Sequence, residues 1–360
     1  MKESGRCMSS LKLAALQLGF GAGLFRLAHL ARRRRALILT FHRFSENDQS
    51  EVGRLPIRRF AEYMEYLTRH YRVVSLSDMV EELQRGTLRP YTTAVTIDDG
   101  YYEAFSLAAP VLRKYGVPAT FFVVSDFADG RLWLWPDRLG FIFKRAPFVP
   151  IAFRHRGSIH ILDIRDEGGR RRSEEQWRLY AKSLPVAERE ELIGAMADAC
   201  GIELPIVLPS EYRPMNWAQL RALAAEGFDV GAHTRTHPLL SRIDPKQVFD
   251  EVKGCKDQIE RSLGFPVKHF CYPNGQREDY TPQVVEEVLK AGYQAAVTTV
   301  PGWNTVSTSL FELHRVQGDA IDVAHFAQSA SGFELVKLKM RREASKWLAC
   351  PKGDRVGIPL

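Results

Sequence analysis

The sequence predicts an α/β domain of parallel strands joined by helical crossovers, on three observations. Short apolar runs recur along the chain, "ALILTF", "AVTI", "ATFFVV", "FDVGAH", "VKHFCYP" and "YQAAVTT". Between them lie stretches with apolar residues at helical spacing. Polar, reactive side chains gather where the runs end: His42, Asp98–Asp99, His233, Tyr272 and the neighbourhood of Trp303–Asn304. In parallel α/β folds the ligand site lies at the C-terminal ends of the strands, so the third observation marks a functional site. Five or more such units suggest a closed or nearly closed barrel, with a doubly wound sheet as the rival.

The elements follow in order. "ALILTF" (Ala36–Phe41) reads as a buried strand ending at His42. "IRRFAEYMEYLTRHY" carries Phe60, Met64 and Leu67 at helical spacing, and "RVVSLSDMVEELQRG" reads as a short strand, a helix capped at Ser77 and a stop at Gly86. Strand "AVTI", helix "AFSLAAPVLRKYGV" and strand "ATFFVV" continue the alternation. Between Asp129 and Pro214 the rhythm breaks, and it resumes at "NWAQLRALAAEG". The expected organisation is an amphipathic, basic segment over 1–35, a barrel over 36–330 with an α+β insert over about 130–214, and a basic tail over 331–360.

The 360 residues are 45% hydrophobic and 26% charged, enough for a sizeable core and against disorder. The formal charge of +7 is concentrated in "ARRRR" (Ala31–Arg35) and "KLKMRREASKW" (Lys337–Trp347). Such runs are solvated faces or attract an anionic membrane surface. No nucleic-acid-binding motif accompanies them, so nucleic acid is not expected as a partner. "LKLAALQLGFGAGLFRLAHL" (Leu11–Leu30) is interrupted by Lys12 and Arg26 and lacks the order of a signal peptide. A helix packed on the domain or lying in a membrane interface fits it better. Five scattered cysteines, none in a CxxC spacing, favour a reducing compartment. The expected location is the cytoplasm, peripheral to the inner membrane face, with export as the alternative.

Two motifs carry chemistry. "TTAVTIDDGYYEAF" ends a strand on adjacent carboxylates, whose mutual repulsion a cation would relieve. "DVGAHTRTHPLLS" places His233 and His237 four residues apart. Two imidazoles and one carboxylate leave open positions on a metal, as catalysis requires. Taken alone, each motif is more simply a helix cap or a packed histidine pair. Both at strand ends of one domain favour the metal. A water acidified by that ion, beside a free carboxylate, serves hydrolysis of an amide or ester.

With these motifs the sequence resembles the polysaccharide deacetylases (NodB-homology, carbohydrate esterase family 4). "TIDDGY" is similar to their TFDDG motif, "HTRTHP" to H-[ST]-x-x-[HS], and "FCYPNG" to the YPYG-type third motif of one branch. The resemblance spans roughly Ala36 to Gln328. It implies an irregular (β/α)7 barrel, with Asp98 as general base and Asp99, His233 and His237 as ligands of a zinc ion; iron, cobalt or nickel also suit such ligands. It implies that the Tyr272 N–H helps stabilise the oxyanion. The family's third-motif arginine, which tethers the base, is absent from "KHFCYPNG", and the Asp-Trp fourth motif is not recognisable. "LTFHRF" is similar to the YHR element of a branch in which the early histidine is the general acid, which favours His42. His314 in "FELHRV" is the alternative acid or a substrate contact, and Pro273, Asn274 and Asn304 are further candidate contacts. Trp133, Trp135 and Trp217 are sugar-stacking surfaces or, more simply, core.

The function these readings imply is metal-dependent removal of N-acetyl groups from a poly- or oligosaccharide, free or lipid-linked. An amidase or esterase acting on another substrate, and an inactive carbohydrate-binding barrel, are the alternatives.

Overall fold

A computed structural model describes residues 34–47, 53–333 and 335. The apolar stretch at Leu11–Leu30, most of the basic runs, Cys7 and Cys350 lie outside the described residues. No described helix is long and apolar enough to cross a membrane.

The first half of the domain runs β1 (Leu37–Phe41), β2 (Phe44–Ser45), β3 (Leu55–Pro56), α1 (Ile57–His70), β4 (Arg72–Val73), α2 (Leu76–Arg85) and β5 (Thr92–Ile97). A π-turn at Ala104–Ala108 then leads to α3 (Ala109–Tyr115), followed by β6 (Ala119–Val123) and α4 (Ser125–Ala128). The insert comprises α5 (Trp135–Arg145), β7 (Pro150–His155), β8 (Ser158–Asp163), α6 (Glu167–Ser183) and α7 (Val186–Ala199). The second half runs α8 (Trp217–Ala225), β9 (Asp229–Ala232), α9 (Pro245–Phe249), a π-turn at Asp250–Gly254, α10 (Cys255–Leu263) and β10 (His269–Cys271). It ends with α11 (Pro282–Lys290), β11 (Ala295–Val297), β12 (Val316–Gln317) and α12 (Val323–Ser331).

Seven parallel strands stand in the order β11-β10-β9-β6-β5-β1-β12, with β4 paired to the start of β5. Just before β12, Leu313 bridges Val297 of β11, while Val316 pairs with Leu39 of β1. The sheet therefore curls back on itself as an irregular (β/α)7 barrel, and the doubly wound rival is excluded. Residue alternation sorts its faces. Leu37, Leu39, Phe41, Val95 and Ile97 pack in one core cluster with the α1 residues Phe60, Tyr63, Met64 and Leu67. Ala36, Ile38, Ala94 and Phe122 pack with Cys271, Val297 and Leu313 in another.

Local signals mostly match. The cap of α2 is Ser75, whose hydroxyl accepts the Asp78 N–H, and not Ser77. Ser77 lies within the helix, and its hydroxyl contacts Asp229 and His269. The helix stops at Gly86 with φ 68°, a left-handed position glycine adopts without strain. The insert has its own apolar core, including Trp135, Phe143, Leu162, Trp177, Leu192 and Met196. Its strand at residues 150–163 is an antiparallel hairpin.

Candidate active site

The β1–β5 register decides who meets whom. Phe41 is opposite Ile97, and the Asp98 N–H donates to the Phe41 carbonyl at 2.9 Å. The next residue on each strand is therefore His42 or Asp98, and His42 Nε2 lies 3.7 Å from Asp98 Oδ2. Asp98 continues the period-two row of Ala94 and Thr96 and is buried.

Asp99 breaks that alternation. Its φ of 72° turns the chain, and Oδ1 lies 3.5 Å from Nε2 of both His233 and His237. The histidine loop is held by the same kind of backbone. Thr234 and His237 have φ of 66° and 59°, and the Thr234 hydroxyl accepts the His237 N–H. Such conformations cost energy in non-glycine residues and cluster at functional sites. A carboxylate from outside the motif secures this loop: Glu251, on the second π-turn, accepts the Arg235 and Thr236 N–H groups and the Thr236 hydroxyl.

The ligand atoms of Asp99, His233 and His237 lie within 4.8 Å of one another. Their 3.5 Å separations are too long for good hydrogen bonds. They match the edge of about 3.4 Å expected of a tetrahedron with bonds near 2.1 Å. His233 Nδ1 sits 2.7 Å from the Cys271 carbonyl, so it carries the proton and leaves the Nε2 lone pair for an ion. The residues fit a divalent metal. Asp98, His233 and Cys271 form a second triad of comparable spacing. There the Arg315 guanidinium lies 2.7 Å from Asp98 and 3.1 Å from the Cys271 sulfur, which disfavours a second cation.

Arg315 is the residue the sequence reading missed. Fully buried, it grips Asp98 through two bonds, Nη1–Oδ1 at 2.8 Å and Nη2–Oδ2 at 2.7 Å. Its Nη1 also donates to the Thr40 and Thr96 hydroxyls, and Nε to the Thr298 carbonyl. The arginine tether absent from the third motif is thus supplied to Asp98 from beside β12. Burial alone would raise Asp98; the charge and hydrogen bonds of Arg315, then the His42 charge, hold it below the usual carboxylate range. "FELHRV" contained the signal, one residue past the histidine that drew attention.

Alternation also places His314. Arg315 points into the barrel, so its extended-chain neighbour points out. The His314 ring lies against Gly302, where an added Cβ would meet it at 2.6 Å. Asn304 clamps the His314 backbone through both amide atoms at 2.8 Å and pairs with Ala36 at the start of β1. Asn304 thus closes the barrel seam, at the opposite end of β1 from His42.

The third motif differs from expectation. The Tyr272 N–H donates to the Val297 carbonyl at 3.2 Å, and its hydroxyl to Phe311 at 3.0 Å. Sheet pairing therefore occupies the N–H that the resemblance assigns to the oxyanion. Pro273 and Asn274 form a tight turn with Gly275, whose added Cβ would meet the Thr299 nitrogen at 2.8 Å. Asn274, at φ 59°, keeps a buried side-chain NH2 without a partner among the described residues. Trp135 is insert core, Trp133 packs on Phe141 and Tyr212, and Trp217 donates to Asp129.

The insert reaches this mouth. Asp137 of α5 pairs with Arg43 at 3.1 Å and accepts the Tyr101 hydroxyl at 2.6 Å, while Arg43 stacks over Tyr101. Burial pushes Asp137 up to about 6. Lys182 of α6 meets buried Asp279 at 3.0 Å.

The model of the polysaccharide deacetylase family matches residues 85–145 and 192–296 of this sequence, on either side of most of the insert. The chain carries a polysaccharide deacetylase domain. Over 99 residues, 28% of the chain, it is 29% identical to YxkH of Bacillus subtilis (strain 168), a protein named for the same family. Over 114 residues, 29% of the chain, it is 32% identical to a chitooligosaccharide deacetylase of Bradyrhizobium sp. (strain ANU 289). These stretches span 34% and 50% of the two relatives. Among solved structures, the Streptococcus pyogenes deacetylase PplD has a TM-score of 0.55 at 16% identity, covering 82% of this chain and 98% of that one. IcaB of Ammonifex degensii has a TM-score of 0.54 at 19% identity, covering 82% and 97%. At such identities these likenesses show the polysaccharide deacetylase fold.

Proposed function

We propose that this polysaccharide deacetylase domain removes N-acetyl groups from an N-acetylated poly- or oligosaccharide with a divalent metal, zinc by default, releasing acetate and a free amine. The observation that carries the reading is one cleft holding a metal-ligand triad, an arginine-tethered carboxylate and a histidine. A divalent ion held by Asp99, His233 and His237 would supply Lewis acidity, acidifying water and polarising the carbonyl. Asp98, kept ionised and fixed in plane by Arg315, accepts the proton of the attacking water. His42, partly exposed at the mouth and facing Asp98, donates a proton to the nitrogen as the C–N bond breaks. Water and amide thus become acetate and amine. With the Tyr272 N–H engaged by the sheet, Asn274, whose side-chain NH2 has no partner among the described residues, is the candidate donor toward the developing oxyanion.

An amidase or esterase on a non-carbohydrate substrate is the second reading, because fold does not fix substrate. The complete triad and tether weigh against an inactive binding barrel. Equal yields of acetate and free amine from N-acetylglucosamine oligomers, with none from small N-acetyl amides or O-acetyl esters, support the carbohydrate reading; the reverse pattern overturns it. The basic runs, where only Arg34 and Arg35 are described, support encounter with a lipid-linked substrate at the inner membrane face. Finding the native protein exported with its first residues removed would contradict that location.

A further inference from the structure

The insert presents a cation that has no counter-ion among the described residues. Arg189, in the first turn of α7, is 4% exposed. Its Nε is buried without a partner, and its guanidinium makes no hydrogen bond or ion pair among the described residues. It stacks over Trp135 at 4.9 Å, and the indole N–H of Trp135 is also buried without an acceptor. Neighbouring carboxylates are engaged elsewhere: Glu190 with Arg138, Glu188 with Arg156, Asp137 with Arg43 and Tyr101. Burial pulls the guanidinium down further than the Glu190 charge pulls it up, and Arg138 adds a smaller repulsion.

Each feature runs against stability unless an anion completes it. A buried charge is tolerated when paired. A cation in the first turn opposes the helix dipole, whose positive end also attracts anions. Guanidinium and indole offer donors only, so the missing partner must offer acceptors. Location supplies the rest. Trp135 opens α5 two residues before Asp137, whose carboxylate pairs with Arg43 next to His42, so the Arg189–Trp135 pair lies beside the mouth of the cleft.

We propose that Arg189 and Trp135 form an anion-recognition site at the cleft, binding a carboxylate or phosphate substituent on the sugar chain. This rests on the proposed deacetylation, and makes the insert the element that selects anionic saccharides. Arg189 offers its planar fork to the substituent, while Trp135 supports the fork from one side and donates its N–H.

The test uses metal-loaded wild type, Arg189→Gln and Arg189→Met. The substrates are neutral N-acetylglucosamine oligomers, oligomers alternating with glucuronate, and oligomers bearing a phosphate. Wild type is expected to show a lower KM for one anionic series, and the series that responds tells carboxylate from phosphate. Arg189→Gln should raise that KM about tenfold, leaving kcat and the neutral KM unchanged. Arg189→Met, which removes the unpaired charge, should unfold at the same or a higher temperature in anion-free buffer. Equal KM values for neutral and anionic series in wild type, or parallel losses on both in Arg189→Gln, would overturn the site. Should no substrate release acetate, glucuronate or inorganic phosphate should still raise the melting temperature of wild type more than that of Arg189→Gln. That result would keep the site while the deacetylase reading fell; equal shifts would sink the site.

Discussion

Arg315 and Asp98 face each other as a buried fork-to-fork pair, with bonds of 2.8 and 2.7 Å and no exposure of the guanidinium. Neither side chain is tolerable without the other. Replacing Arg315 by Met leaves an uncompensated carboxylate and should cost about 3–5 kcal/mol of stability. Arg315→Lys keeps the charge but loses the planar fork. It should bind metal normally and lose about 10²- to 10⁴-fold in kcat, the usual worth of a positioned base. Metal content, melting temperature and kcat measured together separate a misoriented base from a collapsed site.

His42 and His314 make a matched pair of variants. With His42 beside Asp98 and His314 packed on Gly302, His42→Ala should lower kcat about 10²- to 10⁴-fold. His314→Ala should stay within a few-fold of wild type. A larger loss in His314→Ala, measured by acetate release, would reverse the assignment.

The metal loop depends on Glu251, which touches none of the proposed ligands. Its carboxylate takes two N–H groups and a hydroxyl between His233 and His237. Glu251→Ala should weaken metal affinity about 10- to 100-fold, as loss of an outer partner does. Glu251→Gln, keeping one oxygen acceptor, should recover part of it. Competition with a chelator reads both, independently of activity.

Acid should weaken the fold through His269. Burial, then the Lys268 and Lys256 charges, holds it down to about 3. The unfolded chain protonates this group near 6.5. Its contribution is therefore fully present above that pH and is lost as pH falls toward 3, by about 1.4 kcal/mol per pH unit from this group. Urea titrations of wild type and His269→Gln across that window should show a shallower loss in the variant.

What was legible in the sequence was local. Asp98–Asp99 and His233–His237 each lie within a few residues at the end of an apolar run, so one strand or loop presents both members. Arg315 was illegible because its partner lies 217 residues earlier and meets it only when Leu313 and Val316 close the barrel seam. The pairing of the Tyr272 N–H with Val297 was illegible for a related reason, since it depends on where β11 lands. The insert hid its contribution too, because Asp137 and Arg189 are charged residues that register as solvated until packing buries them.

The most direct test of the central claim is acetate release from N-acetylglucosamine oligomers by wild type and Asp98→Asn, before and after metal stripping and reloading. The account predicts release that disappears on stripping, returns with zinc or a similar divalent ion, and falls about 10²- to 10⁴-fold in Asp98→Asn with one metal still bound per chain. Undiminished release by the stripped protein, or by Asp98→Asn, would contradict it.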